Sequence, residues 1–135
     1  MISYDEFKKV EIRAGKILSA EKVPDTDKLL KLAVDFAESI EIVDVAGAKV
    51  TTPKVRQIIS GISLYFPDTT VLVGKTCMFV TNLEHRVIRG LESQGMILAV
   101  STEVVVDPES KEVLKPANFS LLEPNSSIPA GTCAK

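Results

Sequence analysis

The apolar residues of this chain come in short runs, each closed off by glycine, proline, asparagine or aspartate, and that rhythm removes most folds from consideration. The run from Val10 to Ala20 alternates in part, with Val10, Ile12 and Ala14 on one side and Glu11 and Arg13 on the other. Leu29 to Val34, Arg56 to Ser60, Thr76 to Thr81 and Met96 to Val100 follow, each of strand length. Runs this short with turn residues between them read as strands. Gly15 interrupts the first run and predicts a bulge or bend there, as the corners of small barrels require. One short helix is expected at residues 4–9. There Ser3 and Glu6 form a capping box, and Ile2 and Phe7 occupy the staple positions. Strands do not alternate with helices, so a parallel α/β sheet is excluded, and pattern alone gives a small closed all-β barrel.

Between these runs the sequence predicts a turn at Pro24-Asp25-Thr26-Asp27 and a connector from Leu64 to Gly74 with one helical turn after Pro67. It also predicts two short strands around an Asp107-Pro108-Glu109-Ser110 turn, and a tail with Pro116, Pro124, Pro129 and Gly131 lying as extended coil on the barrel. Residues 36–55 read as an extended hairpin turning at Thr51-Thr52-Pro53.

Composition narrows the class. At 135 residues the chain suits one domain, 1–135, able to bury a core without disulfide or metal. No apolar run approaches the length of a bilayer span, and the first residues lack the layout of a signal peptide, so a cytoplasmic protein without membrane contact is expected. Cys77 sits in an apolar strand pattern as a core residue, and Cys133 lies in the tail. With one histidine, no CxxC and no phosphate-binding or nucleophile motif, neither a metal site nor a cofactor nor a catalytic residue is expected.

Asn82 to Val100 is the stretch with binding character. It leaves one strand, passes Arg86, Arg89 and Gly90, and enters the next strand through Ser93-Gln94-Gly95-Met96. A loop that carries cations between two rigid strands is a place for binding. Arg86 and Arg89 offer planar forks for phosphate oxygens, or are solvated arginines paired with Glu84 and Glu92. Asn82 can bond a base edge or fix the local backbone, and Ser93 offers a hydroxyl or a simple strand entry. Met96 is an adaptable apolar surface or core. The net charge of −2 argues against a general nucleic-acid binder. The acidic excess, however, collects in residues 35–60 and 101–135, away from this stretch.

The pattern NL-x-x-R-x-x-R-G-x-x-SQGM resembles the EMAP II-like tRNA-binding domain. So, in the same order, do KVEIRAGKILSAEKVPDTDKLLKLAVD (9–35), RQIISGI (56–62) and LVGK (72–75). The resemblance covers most of residues 5–101. It implies an OB-fold, a five-stranded barrel with a short N-terminal helix and a C-terminal extension, whose face and flanking loops bind oligonucleotides. It further implies a homodimer to which the leading segment contributes, and a non-catalytic, structure-specific tRNA-binding module. Such a module assists methionyl-tRNA synthetase in the manner of a beta subunit, with a catalytic synthetase subunit as a possible further partner. The same family includes peptide-binding chaperones of the CsaA kind, and a pure dimerisation module of a synthetase is a third reading. Carried onto this chain, the tRNA site comprises Lys28, Asn82, Arg86, Arg89, Ser93 and Met96, with Arg13, Arg56 and Gln94 as further candidates. The chain departs from the family where lysines are common at the positions of Glu84 and Val87 and a proline at that of His85. It departs again in the insert at 36–55. Fewer cations imply weaker binding with a shallower salt dependence.

Overall fold

In the computed structural model, residues 1–115 and 117–135 are described, 113–115 by their backbone alone; Pro116 lies outside them. Strands β1 (Ile12–Lys22), β2 (Leu30–Val43), β3 (Lys49–Ser60), β4 (Thr76–Val80) and β7 (Met96–Ile97) form one antiparallel sheet in the order β3-β2-β1-β4-β7. The sheet curls until its two edges meet. Gln94 donates its backbone N–H to Gln57 O across the seam at 2.8 Å, and Ile59 donates its N–H to Ser93 Oγ at 3.0 Å. The result is an OB-like barrel with one core, in which Ile17, Leu30, Leu32, Val34, Leu72, Cys77 and Phe79 are fully buried. Phe36 meets Phe79 edge-to-face with ring centres 5.2 Å apart. Burial pushes the Cys77 thiol up to about 11, and both cysteines are free.

The glycine in the first strand has a different job from the one its position suggests. Gly15 pairs in register with Cys77, and the bulge in β1 comes later, between Ile17 and Ser19. A Cβ on Gly15 would lie 2.5 Å from Phe36 Cε1 and 2.6 Å from Val34 Cγ1, so the residue makes room for the core. The second bulge, between Asp35 and Glu38 in β2, puts Ala37 at a φ of 58°.

Beyond that bulge β2 and β3 leave the barrel as a ribbon. The turn lies at Asp44–Ala48, not at Thr51-Thr52-Pro53, which belong to β3 opposite Glu41, Ile40 and Ser39. The Asp44 carboxylate accepts the N–H groups of Ala46 and Ala48, both at 2.9 Å, and Gly47 takes a φ of 82°. This side-chain-fixed turn outcompetes the Thr-Thr-Pro segment, whose proline is tolerated because β3 is an edge strand.

The short helix α1 (Tyr4–Phe7) forms with both halves of its capping box. None of its residues is buried. The connector holds two 3-10 turns, Ser63–Tyr65 and Thr69–Leu72, the second after Pro67 as expected. Tyr65 stacks on Phe119 at 4.0 Å and Phe66 meets the same ring edge-on, so these aromatics anchor the connector to the tail.

Past the barrel, β9 (Val105–Val106) pairs with β10 (Val113–Lys115) around the turn at Asp107. The tail is more ordered than extended coil. Strand β8 (Ala99–Ser101) pairs with β11 (Phe119–Leu121), and Ala14 and Ala134 donate to Thr132 O and Ile12 O beside the start of β1, ahead of its pairing with β2. No helix among the described residues is long and apolar enough to cross a membrane.

Candidate nucleic-acid interface

The binding stretch is a hairpin on a fixed foot. Strands β5 (Arg86–Ile88) and β6 (Leu91–Ser93) pair with Arg86 opposite Ser93 and Ile88 opposite Leu91. The two residues between them, Arg89 and Gly90, both have positive φ, 52° and 78°. Two consecutive positive φ values mark the mirror-image turn that follows the natural twist of a hairpin. Glycine takes this conformation freely, whereas Arg89 takes it at a cost of about 1 kcal/mol or more.

Several residues expected to touch a ligand have partners within this foot. Asn82 spends both ends of its amide on the chain that enters β1. Its Nδ2 donates to Lys9 O at 2.6 Å and its Oδ1 accepts from Glu11 N at 2.8 Å. Ser93 is buried, and its hydroxyl holds the backbone of Ile59 in β3 and of Gly95. Gln94 accepts the Gln57 N–H through Oε1 at 3.0 Å. Arg56 forks onto Glu38, Nε to Oε1 at 2.7 Å and Nη2 to Oε2 at 2.8 Å. Its Nη1 donates to Thr81 O and Gln94 O at 2.6 and 3.1 Å, and its guanidinium lies over Phe36, 5.3 Å from the ring centre. The Arg56 hydrogen bonds hold the Glu38 carboxyl below its ordinary range, and Glu38 in turn raises the pKa of Arg56. Arg13 is set against Glu11, Nε to Oε1 at 2.8 Å, in an ion pair whose N–H is not aligned for a hydrogen bond. Arg13 and Arg56 are thus neutralised beneath the hairpin.

The hairpin itself keeps its cations open. Arg86 and Arg89 are exposed, and among the described residues neither forms an ion pair. Glu92, expected as a partner for them, is taken by His85, whose Nδ1 lies 2.6 Å from Glu92 Oε1. Arg86 shares a small cleft of about 90 Å³ with Met96, Leu83, Glu84 and Ile59. Met96 is 46% exposed and so is surface rather than core.

Lys28 is exposed in the turn between β1 and β2. Its carbonyl accepts the Ser63 N–H, just past the end of β3. Leu30 pairs with Ser60, and the neighbouring Ile59 is held by Ser93, which pairs with Arg86. That chain of contacts sets the Lys28 turn and the arginine hairpin at the same end of β3. No motif pointed to Lys54 and His85 as site residues, yet they line a second cleft beside the hairpin with Asn82 and Gln94. Their proximity depends on the seam between β3 and the hairpin, which local spacing does not encode.

Comparison with known proteins places the barrel in a family. The family model described as "Putative tRNA binding domain" matches residues 12–132. Methionine–tRNA ligase of Methanospirillum hungatei is 41% identical over 131 residues, 97% of this chain and 15% of the relative. That of Methanoregula boonei is 46% identical over 100 residues, 73% of this chain and 12% of the relative. The chain therefore spans only a small part of these relatives' length. Among solved structures, the MetRS related protein from Pyrococcus horikoshii superposes with a TM-score of 0.73 at 30% identity, covering 100% of this chain and 98% of the other. The CsaA chaperone of Bacillus anthracis shares the fold, with a TM-score of 0.66 at 22% identity, covering 100% and 99% of the two chains. With the family model spanning nearly all of the barrel and its tail, the chain belongs to the tRNA-binding domain family.

Proposed function

We propose that the chain is a non-catalytic module that holds tRNA by its folded shape through the Arg86–Arg89 hairpin and serves a methionyl-tRNA synthetase. The observation that carries this reading is the division of labour among the arginines. Arg13 and Arg56 are paired with carboxylates, whereas Arg86 and Arg89 stand exposed on a braced hairpin with no ion pair among the described residues. A rigid mount lowers the ordering cost of binding, and an unpaired guanidinium needs no carboxylate displaced before it meets a phosphate. Lys28 and Met96 extend the contact surface at the same end of the barrel. The expected role is to raise the concentration of tRNA near a catalytic site carried elsewhere, a multivalent effect that tolerates weak binding by each part.

The module acts as a homodimer in this reading. Tyr4, Phe7, Val10 and Ile12 line an apolar cleft of about 300 Å³ with the chain's last two residues, and Ile2, Tyr4, Phe7 and Val10 are exposed in the single chain. A capped helix whose apolar side chains stay largely exposed suits burial against a second copy.

Titration with total tRNA, followed by fluorescence anisotropy, tests the function. Saturable binding that an equal mass of duplex RNA competes poorly supports it. Suppressed aggregation of an unfolded client protein with no measurable tRNA binding would overturn it in favour of a chaperone.

A further inference from the structure

The arginine cleft does not use the larger hollow on the other side of Leu83 and Glu84. This hollow, of about 390 Å³, is lined by Arg56, Asn82, Lys54, His85 and Gln94 together with Leu83 and Glu84. Arg56 and Asn82 are spent on protein partners, as described above, whereas Gln94 and Lys54 keep hydrogen-bonding capacity. Gln94 uses Oε1 on the Gln57 N–H, which leaves its Nε2 with no partner among the described residues. Lys54 is half-buried and, among the described residues, forms no ion pair. The His85 side chain is 50% exposed, and its 2.6 Å contact to Glu92 fixes the ring in place.

Charge decides what such a hollow can hold. Arg56 is balanced by Glu38, His85 sits against Glu92, and Lys54 is opposed by Glu84 in the same lining. A phosphate entering here would find little net positive charge and an acidic side chain beside it. A flat, uncharged group with both hydrogen-bond donors and acceptors would find an aromatic face at His85, donors at Gln94 Nε2 and Lys54 Nζ, and an acceptor at Glu84. An unstacked nucleobase has that chemistry, and histidine is one of the side chains on which single-stranded RNA bases stack.

We propose that this hollow takes one unstacked base of the RNA whose backbone Arg86 and Arg89 hold, with the base lying on the His85 ring. The inference rests on the tRNA-binding reading and adds to it a base contact beside the phosphate contacts. It makes His85 a residue that favours RNA with an open, extrudable nucleotide over fully paired RNA.

The test compares His85→Ala and His85→Phe, both in the Glu92→Gln background so that no released carboxylate repels the RNA. Each full chain is titrated with total tRNA over a series of salt concentrations, and its thermal melt verifies folding. Stacking on an aromatic side chain is lost with alanine and kept with phenylalanine. His85→Ala is therefore expected to bind between about 5- and 150-fold more weakly with an unchanged salt slope, while His85→Phe keeps most of the affinity. His85→Ala binding as tightly as its background would overturn the base site and leave the arginine site standing. Equal losses in both variants, with the salt slope shallower by about one, would overturn it in favour of a phosphate contact. Absence of tRNA binding by the unsubstituted chain would remove the tRNA reading and this site together.

Discussion

Arg56 shows what an arginine does when the fold rather than a ligand claims it. All three of its nitrogens donate within the protein, and its side chain is 13% exposed. Removing one partner of such a pair leaves the other charge without compensation, so Arg56→Ala is expected to destabilise the fold by about 3 kcal/mol, read from denaturant unfolding. The pair also sets an acid limit. The folded Glu38 carboxyl titrates below its ordinary 4.5, held there first by the Arg56 hydrogen bonds. Its stabilisation is complete above 4.5 and is lost as pH falls through the lower folded value. Glu38→Gln should therefore flatten the fall of the melting temperature over that acid range, and an unchanged profile would contradict the assignment. Ser93→Ala leaves the buried Ile59 N–H unpaired and is expected to cost about 1–3 kcal/mol of stability, with tRNA affinity retained while the chain is folded. A loss of affinity at full stability would return Ser93 to the binding site. From the sequence, Asn82, Ser93 and Gln94 read as ligand contacts because they flank the arginines in one motif, and Arg56 as a cation that joins the same face. Their backbone partners across the fold lie 25 to 73 residues away, and no local spacing reveals them.

At the scale of elements, the hairpin and the ribbon contrast. The β5–β6 hairpin is tied to the barrel through Ser93 and Gln94, so its two arginines are presented on a fixed mount. Its turn asks for positive φ at Arg89, which asparagine tolerates better than other side chains. Arg89→Asn is thus expected to keep or slightly raise the melting temperature while weakening tRNA binding, which separates the cation's role from the turn's. Among the described residues the ribbon from Glu38 to Lys54 has no such tie at its tip, where Val43 and Val45 are 68% and 110% exposed. The short alternating runs made the barrel strands and the N-terminal cap readable from sequence. The turn of the ribbon was misplaced because Thr51-Thr52-Pro53 carries turn-forming residues, while the deciding interaction is the Asp44 carboxylate folding back on two N–H groups. Gly15 misled in a similar way. Its contacts are with Phe36 and Val34 on the neighbouring strand, so its role is set by packing rather than by its own strand.

For the whole molecule, a net charge of −2 must be reconciled with the RNA binding proposed above. Location allows both. Basic and acidic groups cancel at the foot of the hairpin through Glu11 with Arg13 and Glu38 with Arg56, while the outer arginines keep their charge. Dimerisation would give each tRNA two such hairpins to meet. Phe7→Asp, placing a charge in the exposed apolar cluster of α1, is expected to halve the apparent mass on a sizing column, and an unsubstituted chain that already elutes as a monomer would contradict the dimer. The central claim is that Arg86 and Arg89 grip phosphates. It is tested most directly by the salt dependence of tRNA affinity in the unsubstituted chain and in the Arg86→Ala, Arg89→Asn double variant. The expected result is weaker binding with a log–log slope shallower by about 1.5, the contribution of two released counterions. An unchanged slope and affinity would show that the hairpin does not hold the RNA.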